Sequence, residues 1–96
     1  MTVIAHVTLP SALAEFADGR RQLDLEIPDG AVLADVIAAL QSSYPALARR
    51  IVDESGELRR FANVYIGTEE CRRSGGLAAP VPSGADISVI GSIAGG

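Results

Sequence analysis

The sequence contains no lysine; all eight basic residues are arginine, set in the pairs Arg20-Arg21, Arg49-Arg50, Arg59-Arg60 and Arg72-Arg73. The usual internal amine for an isopeptide bond is therefore missing, which excludes polymeric self-tagging through lysine. Cysteine is equally scarce. A single residue, Cys71, cannot form an internal disulfide, in keeping with a reducing compartment. The one histidine, His6, alternates onto a strand face, and with one Cys beside it a transition-metal site would need carboxylates at no recognisable spacing. A basic excess is absent too. The net charge is −4, and the arginines are neither gathered into one run nor interleaved with aromatics, which argues against nucleic acid as a partner. No apolar run approaches membrane-spanning length, and Met1 to Val7 lacks the basic flank and cleavage pattern of a secretion signal. The expectation is a soluble cytoplasmic protein with no membrane partner.

A catalytic kit is also missing. Arg72 and Arg73 stand beside Cys71 and could lower its pKa, but no base is near it in sequence, and a small residue on an edge strand is the plainer reading. Gly75-Gly76 lacks the strand, helix and lysine context of a phosphate loop and reads as a turn. Asp53, Glu54 and Glu57 read as a solvated turn.

What is present is a well-marked succession of elements. From Thr2 to Leu9, Val3, Ala5, Val7 and Leu9 alternate with Thr2, Ile4, His6 and Thr8, the period of a strand with one face toward a core. A connection with a short Ala-rich helical turn follows, closed by Asp18-Gly19, and Leu23, Leu25 and Ile27 mark a second strand, suggesting a hairpin with a long loop. After Pro28-Asp29-Gly30, Leu33, Val36, Ile37, Leu40 and Tyr44 recur at helical spacing, so this helix lies across the sheet. Ala31 stands where a capping side chain is expected, which predicts a poorly capped start. Pro45 stops the helix and opens a shorter one to Val52. Phe61 to Ile66 reads as the third strand, Gly67-Thr68-Glu69-Glu70 as a turn, Cys71-Arg72-Arg73 as a short edge strand, Ser74 to Pro80 as a loop with one helical turn, and Asp86 to Ile90 as the last strand. The predicted class is α+β: a mixed sheet of four to five strands with one main helix packed across it, in one domain over residues 1–90. With the first and last strands parallel at the centre, this order becomes the β-grasp, or ubiquitin-like, architecture; sequence periods alone leave that strand order open.

Residues 91–96 then form a flexible tail, Gly91-Ser92-Ile93-Ala94-Gly95-Gly96. Six residues at about 3.3 Å each reach roughly 20 Å when extended, enough to enter another protein's deep channel. A carboxylate at such a tip is a poor electrophile until activated. Adenylation by a partner's ATP makes it an acyl donor, and attack by sulfide or a persulfide leaves a thiocarboxylate, a soft sulfur nucleophile. A domain without its own catalytic groups but with this tail points to a carrier.

Four blocks carry a resemblance: Phe61-Ala62-Asn63-Val64-Tyr65-Ile66, Ser74-Gly75-Gly76-Leu77-Ala78, Gly84-Ala85-Asp86-Ile87-Ser88-Val89-Ile90 and Ala94-Gly95-Gly96. They resemble the corresponding segments of the MoaD/ThiS family of sulfur-carrier proteins, over essentially the whole chain. Leu58-Arg59-Arg60-Phe61 and Ser74-Gly75-Gly76-Leu77 are most similar to the actinobacterial carriers that supply sulfur for cysteine synthesis. The resemblance implies a ubiquitin-like fold, adenylation of Gly96 by an E1-like adenylating and sulfurtransferase enzyme, and a thiocarboxylate on Gly96 as the working form. Gly95, Ala94 and Ile93 would make up the slim tail. It further implies a PLP-dependent cysteine synthase as sulfur acceptor and a zinc metallopeptidase that releases the new cysteine, so that ATP, PLP and zinc belong to partners and this chain binds no cofactor or metal of its own. The chain is thus expected to be a protein co-substrate, without catalytic residues. Arg59, Arg60 and Phe61 are candidates for partner docking. The chain departs from the family pattern at Gly91-Ser92, where a proline is common, and at Gly67-Thr68, where a turn containing Asn is usual. Other readings stay open: the small subunit of molybdopterin synthase, a thiamine-type sulfur carrier, or a β-grasp interaction module with an inert tail.

Overall fold

A computed structural model describes residues 1–91. The hairpin expected at the start is present: β1 (Thr2–Thr8) and β2 (Gln22–Pro28) pair antiparallel, with Thr8 opposite Gln22 and Thr2 opposite Pro28. Their connection holds a single helical turn, α1 (Ser11–Ala14), and ends in a left-handed Asp18 (φ 56°) followed by Gly19 (φ 79°). Two successive residues at positive φ turn the chain back within the reach of Leu9, and asparagine, aspartate and glycine tolerate that region best.

Two helices cover one face, α2 (Leu33–Ser43) and α3 (Pro45–Ile51). The cap of α2 differs from the expectation. Its cap position is Val32, not Ala31, and the Val32 N–H donates to Asp35 Oδ2 at 2.9 Å. A residue without a capping oxygen therefore still has its own amide satisfied, by the carboxylate three positions on, which also sits well in the helix dipole. Tyr44 (φ −140°, ψ 71°) leaves the helical region because Pro45 follows it.

Beyond the helices come β3 (Ala62–Ile66), β4 (Glu69–Glu70) and β5 (Asp86–Gly91). Two expectations are corrected here. Glu69-Glu70 is a strand, paired with Tyr65 and Ile66, and only Gly67-Thr68 turns between them. Cys71–Arg73 is a 3-10 turn and not an edge strand, because the Glu70 carboxylate accepts from the Arg72 amide at 3.2 Å and bends the chain out of the sheet. The helical turn expected in the following loop lies at Gly76–Ala78. Gly75 ahead of it takes φ 117°, and a Cβ there would sit 3.5 Å from the Ala78 backbone, so glycine is required by conformation.

The sheet order is β2-β1-β5-β3-β4, with β5 parallel to β1 and antiparallel to β3. This is the β-grasp arrangement: the first and last strands side by side in the middle, α2 and α3 on one face. Between the layers lie Ala5, Val7 and Leu9 of the first strand and its exit, Leu33, Val36 and Leu40 of α2, Leu47 and Ile51 of α3, and Ile87 and Val89 of β5. The loop before β5 closes the end of this core through Leu33 N–H to Ala79 O and Val81 N–H to Ala31 O, both 2.9 Å. Among the described residues no helix is long and apolar enough to cross a membrane.

Candidate functional site

β5 is the element that positions the site. It lies between two neighbours, and its last described residue, Gly91, pairs with Ala62 of β3, one rung beyond the Ile90–Asn63 pair. β1 flanks β5 at Asp86–Ser88, and β3 continues beside it to Gly91. The loading site expected at Gly96, with Gly95, Ala94, Ile93 and Ser92, lies outside the described residues.

Two large apolar side chains adjoin this exit. Phe61 immediately precedes Ala62 and Ile90 immediately precedes Gly91, and each is 50% exposed. Inward parity belongs to Ile87 and Val89, so Ile90 stands on the sheet face opposite the helices. Ile90 was legible in the sequence only as a strand residue; its exposure follows from alternation, and its place beside Phe61 from pairing with β3. An isolated exposed hydrophobe needs no explanation, but two of them one residue from the same cross-strand pair form a local patch.

The two docking arginines separate. Arg59 is half-buried, its Nε donates to the Arg49 carbonyl at 2.7 Å, and its own carbonyl accepts from the Arg72 guanidinium at 2.9 Å. It thereby satisfies a backbone carbonyl in the last turn of α3 that has no helical partner. Arg60 is exposed. Arg59 therefore shapes the loop that presents Arg60 and Phe61.

The other reactive side chains are occupied in structure. His6 Nδ1 lies 2.7 Å from Asp24 Oδ1 on the exposed sheet face. Asp53 accepts from the Ser55 hydroxyl at 2.7 Å and from the Glu57 amide at 3.1 Å, and these bonds, the first above all, hold its carboxyl below the usual range. It organises a turn. Among the described residues no group of three or more His, Cys, Asp and Glu is placed to hold a metal ion.

Cys71 is fully buried, and burial first, then its hydrogen bond to Glu70, pushes the thiol up from 9.0 to about 11 against the weaker opposing charge of Arg72. The lowering expected from the neighbouring arginines is outweighed by desolvation. Such a thiol is inert as a nucleophile. The folded state holds its proton more tightly than the unfolded chain, so that contribution is intact below about pH 9 and is lost as the pH climbs toward about 11. Urea titrations at about pH 8 and about pH 10.5 are expected to show a larger loss for the wild type than for Cys71→Ala. Equal losses would place the thiol in a more polar setting.

The comparisons agree with this geometry. The ThiS family model matches residues 7–96. The chain is 33% identical over 92 residues to the sulfur carrier protein CysO of Mycobacterium tuberculosis, covering 94% of this chain and 96% of that protein. It is 31% identical over 78 residues to small archaeal modifier protein 3 of Haloferax volcanii, covering 81% and 84%. Among solved structures, that of the Amycolatopsis orientalis BexX/CysO complex superimposes with a TM-score of 0.83 at 32% identity, covering 96% of this chain and 99% of the matched one. A ThiS-family model running from β1 to the end of the sequence, on a β-grasp body, shows that this chain belongs to the ThiS family.

Proposed function

We propose that this chain is a sulfur carrier of the CysO type, loaded at Gly96 and unloaded by partner enzymes. The observation that carries the reading is 33% identity to a protein named as a sulfur carrier over 96% of that protein's length. The site geometry supports it: β5 is paired with β1 over Asp86–Ser88 and with β3 as far as Gly91, which gives the tail's root a defined place on the body from which a partner can take the tip.

The chemistry runs in two stages. The Gly96 carboxylate attacks the α-phosphorus of ATP in an E1-like enzyme, pyrophosphate leaves, and the resulting acyl-adenylate has a good leaving group. Sulfide attacking the acyl carbon breaks the bond to AMP and leaves a thiocarboxylate directly. A persulfide displaces AMP to give an acyl disulfide, and a thiol of the partner then attacks its outer sulfur, so that the S–S bond breaks, the thiocarboxylate leaves and a disulfide remains on the partner. A cysteine synthase carrying PLP would supply the electrophilic three-carbon acceptor for the thiocarboxylate sulfur. The thioester so formed would pass its acyl group to the cysteine amine as an amide, and a zinc metallopeptidase would hydrolyse that amide to free the cysteine. ATP, PLP and zinc reside in those partners. This chain's body supplies recognition and its tail supplies reach.

Phe61 and Ile90, beside the exit, are the apolar anchors offered to the adenylating enzyme, with Arg60 at their edge and Arg59 positioning the loop. Truncating a central apolar anchor costs about 2 kcal/mol or more at a typical interface. Phe61→Asp is expected to lower loading efficiency about tenfold or more, since ~1.4 kcal/mol is a factor of ten, with an unchanged melting transition because half the ring is already in water. Normal loading of that variant would move the docking surface elsewhere.

A second reading has one observation in its favour: the 31% identical relative is named as a modifier protein. Purified thiocarboxylate form, incubated with a PLP-dependent cysteine synthase and an activated serine, is expected to yield the carrier bearing one added cysteine. Accumulation of higher-mass conjugates on other proteins in cells, with no cysteine adduct in the purified reaction, would favour the modifier reading instead.

A further inference from the structure

The missing lysines take on a meaning once the exit of β5 is located. Leu9 N–H donates to Arg21 O at 2.7 Å, which puts Arg20 and Arg21 at the end of the sheet where β5 finishes. Ala62, the partner of Gly91, follows Arg59, Arg60 and Phe61 in sequence, and Arg72 reaches the same end through the Arg59 carbonyl. Arginines therefore stand to both sides of the tail root, on the β2 side and on the β3 side. A lysine at any of these positions would put a primary amine within the tail's span, because residues 92–96 reach about 17 Å when extended.

The α-amine of Met1 is out of that range. β1 and β5 run parallel, with Thr8 beside Ser88. Met1 therefore lies about ten rungs from the level of Gly91, roughly 33 Å at about 3.3 Å per residue.

We propose that this arginine-only pole is a non-nucleophilic collar, which keeps the activated terminus from being consumed by amide formation with its own body. The inference rests on the sulfur-carrier reading, since only a terminus that becomes an acyl donor needs such protection. An amine attacks the acyl carbon, a C–N bond forms, the bond from carbon to the leaving group breaks with its electron pair, and the ammonium proton goes to water. A guanidinium stays protonated and has no lone pair to offer at neutral pH, whereas a fraction of lysine side chains is always free amine. The collar keeps positive charge without nucleophilicity.

The test uses the full chain carrying a Gly96 thiocarboxylate made by sulfide cleavage of an intein fusion, so that no activating enzyme is needed. Addition of an aromatic disulfide converts the thiocarboxylate to an acyl disulfide: its sulfur attacks the disulfide, an S–S bond forms and an aryl thiolate leaves. Intact-mass spectra then follow internal amide formation, which expels the aryl persulfide. Arg21→Lys is expected to give the internal amide about 100-fold faster than any intermolecular amide at about 10 μM protein, the advantage of a millimolar effective concentration. Wild type, and Thr2→Lys with its amine at the opposite pole, are expected to hydrolyse without amide. Amide in the wild type at the rate of Arg21→Lys, or none in Arg21→Lys, overturns the collar. Both variants are checked by thermal melting; should Arg21→Lys not fold, Arg20→Lys takes its place with the same expected results. The sulfur-carrier reading is decided separately, by enzymatic loading, so either idea can fail alone.

Discussion

Deleting Gly96 is expected to abolish thiocarboxylate formation, and replacing Gly95 with valine to lower it about 100-fold or more, while the melting transition of the body stays unchanged. The reason for the first is one of reach: on the proposed reading the Gly96 carboxylate is the group adenylated, and its deletion leaves the terminal carboxylate on Gly95, about 3.3 Å short of the reacting position. For the second it is steric and conformational. Valine adds a β-branched side chain to the residue next to the reacting carbonyl, where a narrow channel must close around the backbone and where glycine alone accepts every φ. Misplacing a reacting group by about 1 Å costs around 100-fold in rate, so loading of Gly95→Val is expected to fall by at least that factor. The body is expected to melt unchanged, because Val89 is the last buried residue on β5 among the described residues and both changes lie well beyond it in sequence. Loading rates by intact-mass spectrometry, beside a thermal melt of each variant, check both halves. Wild-type loading of Gly95→Val would remove the channel from the account.

The second large effect is on stability. Leu33→Ala and Leu47→Ala each remove a side chain with 0% exposure from between the layers. Leu33 stands in the first turn of α2, where its backbone N–H donates a hydrogen bond to the Ala79 carbonyl in the loop before β5. Leu47 faces the core from α3. Large-to-small changes of this kind cost about 2–5 kcal/mol, through lost transfer energy and an unfilled cavity. In a domain this small, about 3 kcal/mol lowers the melting temperature by roughly 12–24 °C. Gln41→Ala, on the exposed side of α2, serves as the control and is expected within about 0.5 kcal/mol of wild type. A loss below about 1 kcal/mol at either leucine would mean that the layers repack around the gap.

The parts of this fold that a reader of the sequence recovers are those set by local period. Val7, Leu9, Leu23 and Leu25 announce their strands and the inward face, and Leu33, Val36, Ile37 and Leu40 announce the covering helix; all are buried. The central place of β5 is different in kind. Strand order depends on contacts between residues some eighty positions apart, such as His6 and Asp86, and nothing in a window of neighbours encodes it. The Cys71 segment misleads for a local reason: two arginines after a strand read as an edge, while a hydrogen bond from the Arg72 amide to the preceding Glu70 makes a turn. Arg59 hides its role because the carbonyl it satisfies belongs to Arg49, ten residues earlier and close only in space. The tail chemistry is proposed from the resemblance of the Ala94-Gly95-Gly96 ending and its companion blocks, and the ending itself lies outside the described residues. Of the patch proposed for docking, Phe61 stands in a recognisable block, and Ile90 joins it only through its cross-strand neighbour Asn63.

The central claim is that the working group is the terminal carboxylate, loaded by another protein while the globule serves as its handle. It is tested most directly by co-expressing the chain with an E1-like adenylating enzyme and a sulfur source, then fragmenting the intact protein in a mass spectrometer. The account predicts a gain equal to the difference between sulfur and oxygen, confined to fragments that contain Gly96 and absent without ATP-dependent activation. An unchanged mass under conditions that load a known ThiS-family carrier, or a sulfur found on Cys71 in place of Gly96, would contradict it.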